Sequence, residues 1–120
     1  RLIVGSGGAN DLACGAASCL VVMPLKEGRF VERLPFVTTP VRSLAGVATD
    51  LGFLKRDGED GLRIEGVMSE PGRERETLEE ISRRCGREMP VAPNLIRFDP
   101  PTDEDLALLR GFDPRRAILA

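Results

Sequence analysis

The chain contains no histidine, tryptophan or tyrosine, and its aromatic side chains are five phenylalanines in 120 residues. The missing histidine excludes a Ser-His-Asp triad and every metal site that uses an imidazole ligand. With no Trp or Tyr and a net charge of −2, the chain has neither stacking platforms nor the basic field that nucleic-acid binding uses. No stretch approaches the roughly 20 apolar residues that cross a bilayer, and the start lacks the charged, apolar and small-residue order of a signal peptide. These absences predict a cytoplasmic protein bound to neither nucleic acid nor membrane. Cys14, Cys19 and Cys85 are odd in number and lie in apolar or helical surroundings, which predicts reduced core thiols and no disulfide framework.

The remaining composition is ordinary, with 42% hydrophobic and 30% charged residues, as in globular proteins. A length of 120 residues suits one domain with a modest core. The chain begins with Arg1, directly on what reads as a strand, so residues 1–120 are expected to be a single but incomplete domain.

"RLIVGSGGANDL" (Arg1 to Leu12) reads as a short buried strand, a tight glycine turn and a helix start, with Asn10 as N-cap and Asp11 in the first turn of a helix over Asp11 to Ala17. "SCLVVM" (Ser18 to Met23) predicts a strand buried on both faces, and the alternation in Arg29 to Leu34 predicts a half-buried one. Leu44 to Leu54 reads as a further buried strand, joined through the turn-rich "KRDGEDG" to alternating Leu62 to Val67 in a hairpin. Thr77 to Glu80 has the form of a capping box, followed by Leu78, Ile81 and Cys85 on one helical face and Gly86 as the stop. Pro101-Thr102-Asp103-Glu104-Asp105 repeats the start signal, with Leu106 and Leu109 as a packed stripe and Gly111 as the stop. Pro90, Pro93, Pro100 and Pro101 leave room between them for no more than a short edge strand. Three helices and four or five strands make an α/β fold.

The candidate site is the turn Gly5-Ser6-Gly7-Gly8, whose main-chain N–H groups, with the helix N-terminus behind them, can face a phosphate, a carboxylate or a developing oxyanion. Taken locally, a tight turn needing positive φ explains the same glycines. The spacing is not a dinucleotide fingerprint, since Asn10 stands where its third glycine belongs, and no Walker Lys follows. Thr38-Thr39-Pro40 and Thr49-Asp50-Leu51-Gly52 could line a crevice at strand ends, but hydrogen bonding within turns accounts for them. The acidic clusters at Glu74 to Glu80 and Asp103 to Asp105, and Arg83, Arg84, Arg115 and Arg116, read as helix starts and solvated faces.

Five blocks in order, "GSGGANDLACGA" (Gly5 to Ala16), "RFVERLPFVTTP" (Arg29 to Pro40), "VATDLGFL" (Val47 to Leu54), "TLEEISRRCG" (Thr77 to Gly86) and "PPTDEDLALLRGFDPRRAIL" (Pro100 to Leu119), resemble the C-terminal half of the β subunit of family I CoA-transferases, of the glutaconate CoA-transferase type. The resemblance implies an open, mainly parallel α/β sheet with flanking helices, a CoA-transferase α subunit as partner in a hetero-oligomer, and no tightly bound cofactor. Its substrates would be a coenzyme A thioester and a small carboxylic acid. It further implies that a glutamate attacks the acyl-CoA, passing through an anhydride to a glutamyl-CoA thioester. That glutamate belongs to the family's N-terminal part and has no counterpart here; Glu27, Glu32 and Glu65 do not take its place, so no catalytic residue and no metal ligand is assigned to this chain. Gly7, Gly8, Ala9 and Asn10 would form the oxyanion and acyl-CoA-facing loop. Ser69-Glu70-Pro71-Gly72 departs from the family's His-Pro-Gly. Two other readings stay open: a ring-opening acyl-CoA hydrolase subunit on the same fold, against which "GGANDL" argues, and a non-catalytic truncated α/β module.

Overall fold

A computed structural model describes residues 7–31, 33–58 and 61–115. In chain order the elements are α1 (Gly8–Gly15), β1 (Cys19–Val22), β2 (Leu44–Ala48), β3 (Gly52–Asp57), β4 (Gly61–Met68), α2 (Glu74–Cys85), β5 (Val91–Phe98) and α3 (Asp103–Phe112). The strands form one open sheet in the order β1-β2-β3-β4-β5. β1 and β2 pair in parallel, as do β4 and β5, while β3 is antiparallel to both of its neighbours. Four strands therefore run one way and β3 runs against them, which is the expected open α/β sheet with its central strand reversed.

The reversal comes from two tight turns. The run Leu44 to Leu54 is not one strand: Thr49 breaks it, donating its hydroxyl to the Gly52 carbonyl at 2.8 Å and accepting from the Leu51 and Gly52 N–H groups. An ST-turn supplies locally the hydrogen bonds that a continuing strand would draw from its neighbours. The second turn is the expected hairpin from β3 to β4. Register slips by one between Phe53 and Leu54 of β3, so that Leu54 pairs with Ile64 and Gly52 with Val67. This bulge lets both Ile64 and Val67, three positions apart, point into the same core.

That core lies on one face of the sheet, where Val47, Leu54, Ile64 and Val67 meet Ile81 and Cys85 of α2 together with Leu25 and Met89. Leu78, Ile81 and Cys85 thus share a face as expected, and Gly86 ends α2 in the left-handed conformation at φ 68°. The helix starts earlier than its sequence suggests, at Glu74, so the Thr77–Glu80 capping box does not form: Thr77 donates its hydroxyl back to the Arg73 carbonyl, and Glu80 pairs with Arg83 and Arg84. Leu25 lies in irregular chain yet is fully buried; its N–H donates to Asp50 Oδ1 at 2.6 Å and its carbonyl accepts from Arg84 Nη1 at 2.8 Å. The Asp50 and Arg84 side chains thereby replace the sheet partners this segment lacks.

Elsewhere the structure corrects the sequence reading. α1 begins at Gly8 with Gly7 as its N-cap and no side-chain cap, so Asn10 is a first-turn residue and not the cap. β1 is exposed at every second residue, including Leu20 and Val22, and is not doubly buried. No strand forms among the described residues of Arg29 to Leu34, because that stretch lies within the crossover joining parallel β1 to β2, which places no neighbouring strand against it. β5 is eight residues long, with Pro93 tolerated because it sits at the sheet edge, where the pairing jumps from Val91 to Ile96. α3 has the expected capping box, with Asp105 N–H donating to Thr102 Oγ1 and Thr102 N–H donating to the Asp105 carboxylate, but it runs through Gly111 to Phe112 and buries no residue, Leu106 and Leu109 included. Of the cysteines only Cys85 is a core thiol; Cys19 is half-buried and Cys14 is exposed on a helix that packs no face inward.

Candidate functional site

The glycine bend is built as its sequence requires in the part that is described; Gly5 and Ser6 lie outside the described residues. Gly7 has φ 50°, a value that disfavours side-chain-bearing residues, and its carbonyl accepts from the Asn10 N–H at 3.0 Å to open α1. A side chain built at either Gly7 or Gly8 would meet no atom of the described residues within 4 Å. Gly7, Gly8 and Ala9 are exposed and Asn10 is half-buried. The first-turn N–H groups of an α-helix have no partner within it, so the bend sets the main-chain donors of Gly8 and Ala9 at the positive end of α1. Cys14 Sγ lies 3.4 Å from Asn10 Oδ1 and 3.8 Å from the Pro40 carbonyl, fastening α1 to the crossover segment.

The arrangement can hold a carboxylate, a thioester carbonyl or an oxyanion, but its surroundings set a limit. Main-chain donors stabilise developing charge strongly only where water is excluded. α1 buries no residue, so within the described chain these amides compete with bulk water. The bend supplies one wall of a site.

The other candidates resolve as structural parts. Thr49 and Asp50 serve the turn and Leu25, as described above. Thr39 and Pro40 lie not at a strand end but in irregular chain, lining an open groove of about 540 Å³ with Val21, Leu34, Val37 and Arg42. Glu27 pairs with Arg83, and Glu65 lies between Arg63 at 3.0 Å and Lys55 at 3.4 Å, so neither presents a free carboxylate; Glu32 lies outside the described residues. Hydrogen bonds from Arg63 hold the Glu65 carboxyl below its ordinary range. The acidic starts of α2 and α3 carry ion pairs and caps, consistent with solvated helix ends. Arg115 is exposed and Arg116 is outside the described residues. Among the described residues no group of three or more His, Cys, Asp or Glu side chains is placed to hold a metal ion, and no helix is long and apolar enough to cross a membrane.

One feature escaped the sequence reading. Where β4 ends, Ser69, Glu70, Arg73, Glu76 and Pro100 line an open groove of about 410 Å³ at the start of α2. Ser69 is buried with its hydroxyl unpartnered among the described residues, and the Ser69 carbonyl accepts from Arg97 Nη1 at 3.3 Å. The positive end of α2 is already filled, since the Glu74 carboxylate accepts from its own N–H and that of Gly72, which lowers its pKa. Only the order Ser69-Glu70-Pro71-Gly72 hinted at this place, and it said nothing of Arg97, which arrives from β5.

No protein-family profile matches the chain, and no curated protein sequence is significantly similar to it. Its fold is similar to that of the crystal structure of glutaconate coenzyme A-transferase from Acidaminococcus fermentans, with a TM-score of 0.76 over 100% of this chain at 20% sequence identity. The likeness establishes a CoA-transferase-like α/β fold. The chain spans 50% of the length of that solved chain.

Proposed function

We propose that this chain is the C-terminal half of a glutaconate-type CoA-transferase β subunit, and that Gly7, Gly8, Ala9 and Asn10 face the acyl group of a coenzyme A thioester. The observation that carries the reading is the open glycine bend: positive φ at Gly7, no atom of the described residues within 4 Å of a side chain built at Gly8, and the start of α1 directly behind. The whole-chain fold similarity to a glutaconate enzyme supports it.

In this reading a glutamate on polypeptide beyond these 120 residues attacks the donor thioester carbonyl, forming a mixed anhydride and releasing CoA thiolate. The thiolate then attacks the glutamyl carbonyl, releasing the donor acid and leaving a glutamyl-CoA thioester, and the acceptor acid reverses both steps. Each addition places negative charge on a carbonyl oxygen, and the Gly8 and Ala9 N–H groups are the donors for it. An α subunit completes the assembly, no tightly bound cofactor takes part, and the enzyme is cytoplasmic. The test is CoA exchange between a labelled carboxylic acid and its acyl-CoA. The expected outcome is exchange by the gene product read from its own start codon and expressed with the adjoining gene, and none by the 120-residue chain. Exchange by the isolated chain, or its absence from the full gene product across short-chain and dicarboxylic acids, contradicts the proposal.

A further inference from the structure

We propose that the groove at the carboxyl ends of β4 and β5 binds a small molecule carrying a primary ammonium group on an apolar stem, with the Ser69 hydroxyl and the Glu70 carboxylate as its acceptors. β4, α2 and β5 form a β-α-β unit whose strands are parallel neighbours, ending side by side where Met68 pairs with Phe98. Open α/β sheets take their ligands in the crevice beyond the carboxyl ends of such strands. The groove of about 410 Å³ lies there and falls within the size range of small-molecule sites. Ser69 supplies the observation that points to a ligand. It is only 6% exposed yet lines the groove, and its N–H donates to the Phe98 carbonyl at 3.3 Å while its carbonyl accepts from Arg97. Its hydroxyl alone has no partner among the described residues. A buried hydroxyl without a hydrogen bond costs stability, so one kept beside an open groove is fitted to a partner from outside the chain.

The charges decide what that partner is. Glu70, Arg73, Glu76 and Glu80 line the groove, three carboxylates to one guanidinium. The neighbouring cations are already paired: Arg73 with Glu76 at 2.7 Å, and Arg97 with Glu74 and Asp99. Glu80 is shared by Arg83 and Arg84, and Glu74 occupies the positive end of α2. What remains is the exposed Glu70 carboxylate, which makes no hydrogen bond or ion pair among the described residues, next in sequence to the Ser69 hydroxyl. Both are acceptors, and an ammonium group, with three donors and no acceptor, satisfies them. An anion would instead meet the surplus of negative charge. Met68 and Pro100 give the stem an apolar wall. The site is separate from the glycine bend and stands whether or not the chain takes part in acyl transfer.

The test is calorimetric titration of the full gene product, expressed with its adjoining gene, with 1,4-diaminobutane and, separately, with inorganic phosphate. Expected is binding of the diamine with a dissociation constant below about 1 mM. Ser69→Ala and Glu70→Gln should each weaken it at least about tenfold, the effect of losing a hydrogen bond to a charged group, while Glu79→Gln, on α2 but outside the groove, leaves it unchanged. Ser69→Ala should also leave the Tm without diamine equal to the parent's or higher, because it removes an unpartnered buried hydroxyl, which separates a binding role from a folding one. The proposal is overturned if the diamine does not bind or binds Ser69→Ala and Glu70→Gln as tightly as the parent. It is equally overturned if Glu79→Gln weakens binding as much, which marks a diffuse acidic surface, or if phosphate binds more tightly, which marks an anion site. A lowered Tm for Ser69→Ala overturns it too, by showing the hydroxyl partnered within the complete protein.

Discussion

Glu80 shows how much of this small core is fastened by single side chains. It accepts from Arg83 and from Arg84, and those hydrogen bonds lower its carboxyl to about 2. Arg84 in turn holds the Leu25 carbonyl and lies 3.6 Å from Asp50, so Glu80 orients the guanidinium that anchors a fully buried leucine. A carboxyl whose folded pKa is depressed contributes stability that is complete above its ordinary value near 4.5 and disappears as pH falls toward 2. The urea midpoint should therefore fall between pH 4.5 and 2 more steeply for the parent chain than for Glu80→Gln, with the two converging at the acid end. Parallel curves would mean that the pair does not act on stability. Hydrogen bonds of this kind were out of reach in the sequence, because "LEEISRR" contains i,i+3 and i,i+4 pairs on a solvated face and nothing in it announces Leu25, 59 positions from Arg84.

At the scale of elements, the chain reads best where local chemistry and tertiary packing agree. The β3–β4 hairpin, the apolar face of α2 with its Gly86 stop, and the Thr102 capping box were all legible, since each is decided within a few residues. Arg29 to Leu34 was misread because its alternation satisfies a strand pattern while its place in a crossover supplies no ladder; Leu44 to Leu54 was misread because the Thr49 turn hides inside an apolar run. The Gly7–Gly8 bend was legible as a bend, while its openness was not, since exposure depends on what packs beside α1. α3 separates local from global stability: it has a complete cap and buries no residue. Thr102→Ala should raise hydrogen exchange across α3, reflecting a cap loss of about 1 kcal/mol, and leave the urea midpoint of the sheet unchanged. A lowered sheet midpoint would show that α3 is packed into the cooperative unit.

For the whole molecule, the Gly7–Gly8 bend supplies one wall of the proposed site, with Gly8 and Ala9 exposed at the start of α1. This gives the central claim a clean probe. Gly8 lies in ordinary helical backbone and its side-chain direction meets no atom of the described residues within 4 Å, so a larger residue there is tolerated by the described chain and obstructs what approaches the bend. Gly7, at φ 50°, would confound the result with backbone strain. The decisive measurement is kcat and Tm for Gly8→Val in the full gene product. The account predicts a fall in kcat on the order of 100-fold, because the Val side chain holds the reacting carbonyl off the main-chain donors, at a cost like that of one oxyanion contact, with Tm unchanged; full turnover, or a loss of Tm in proportion to the loss of rate, would contradict it.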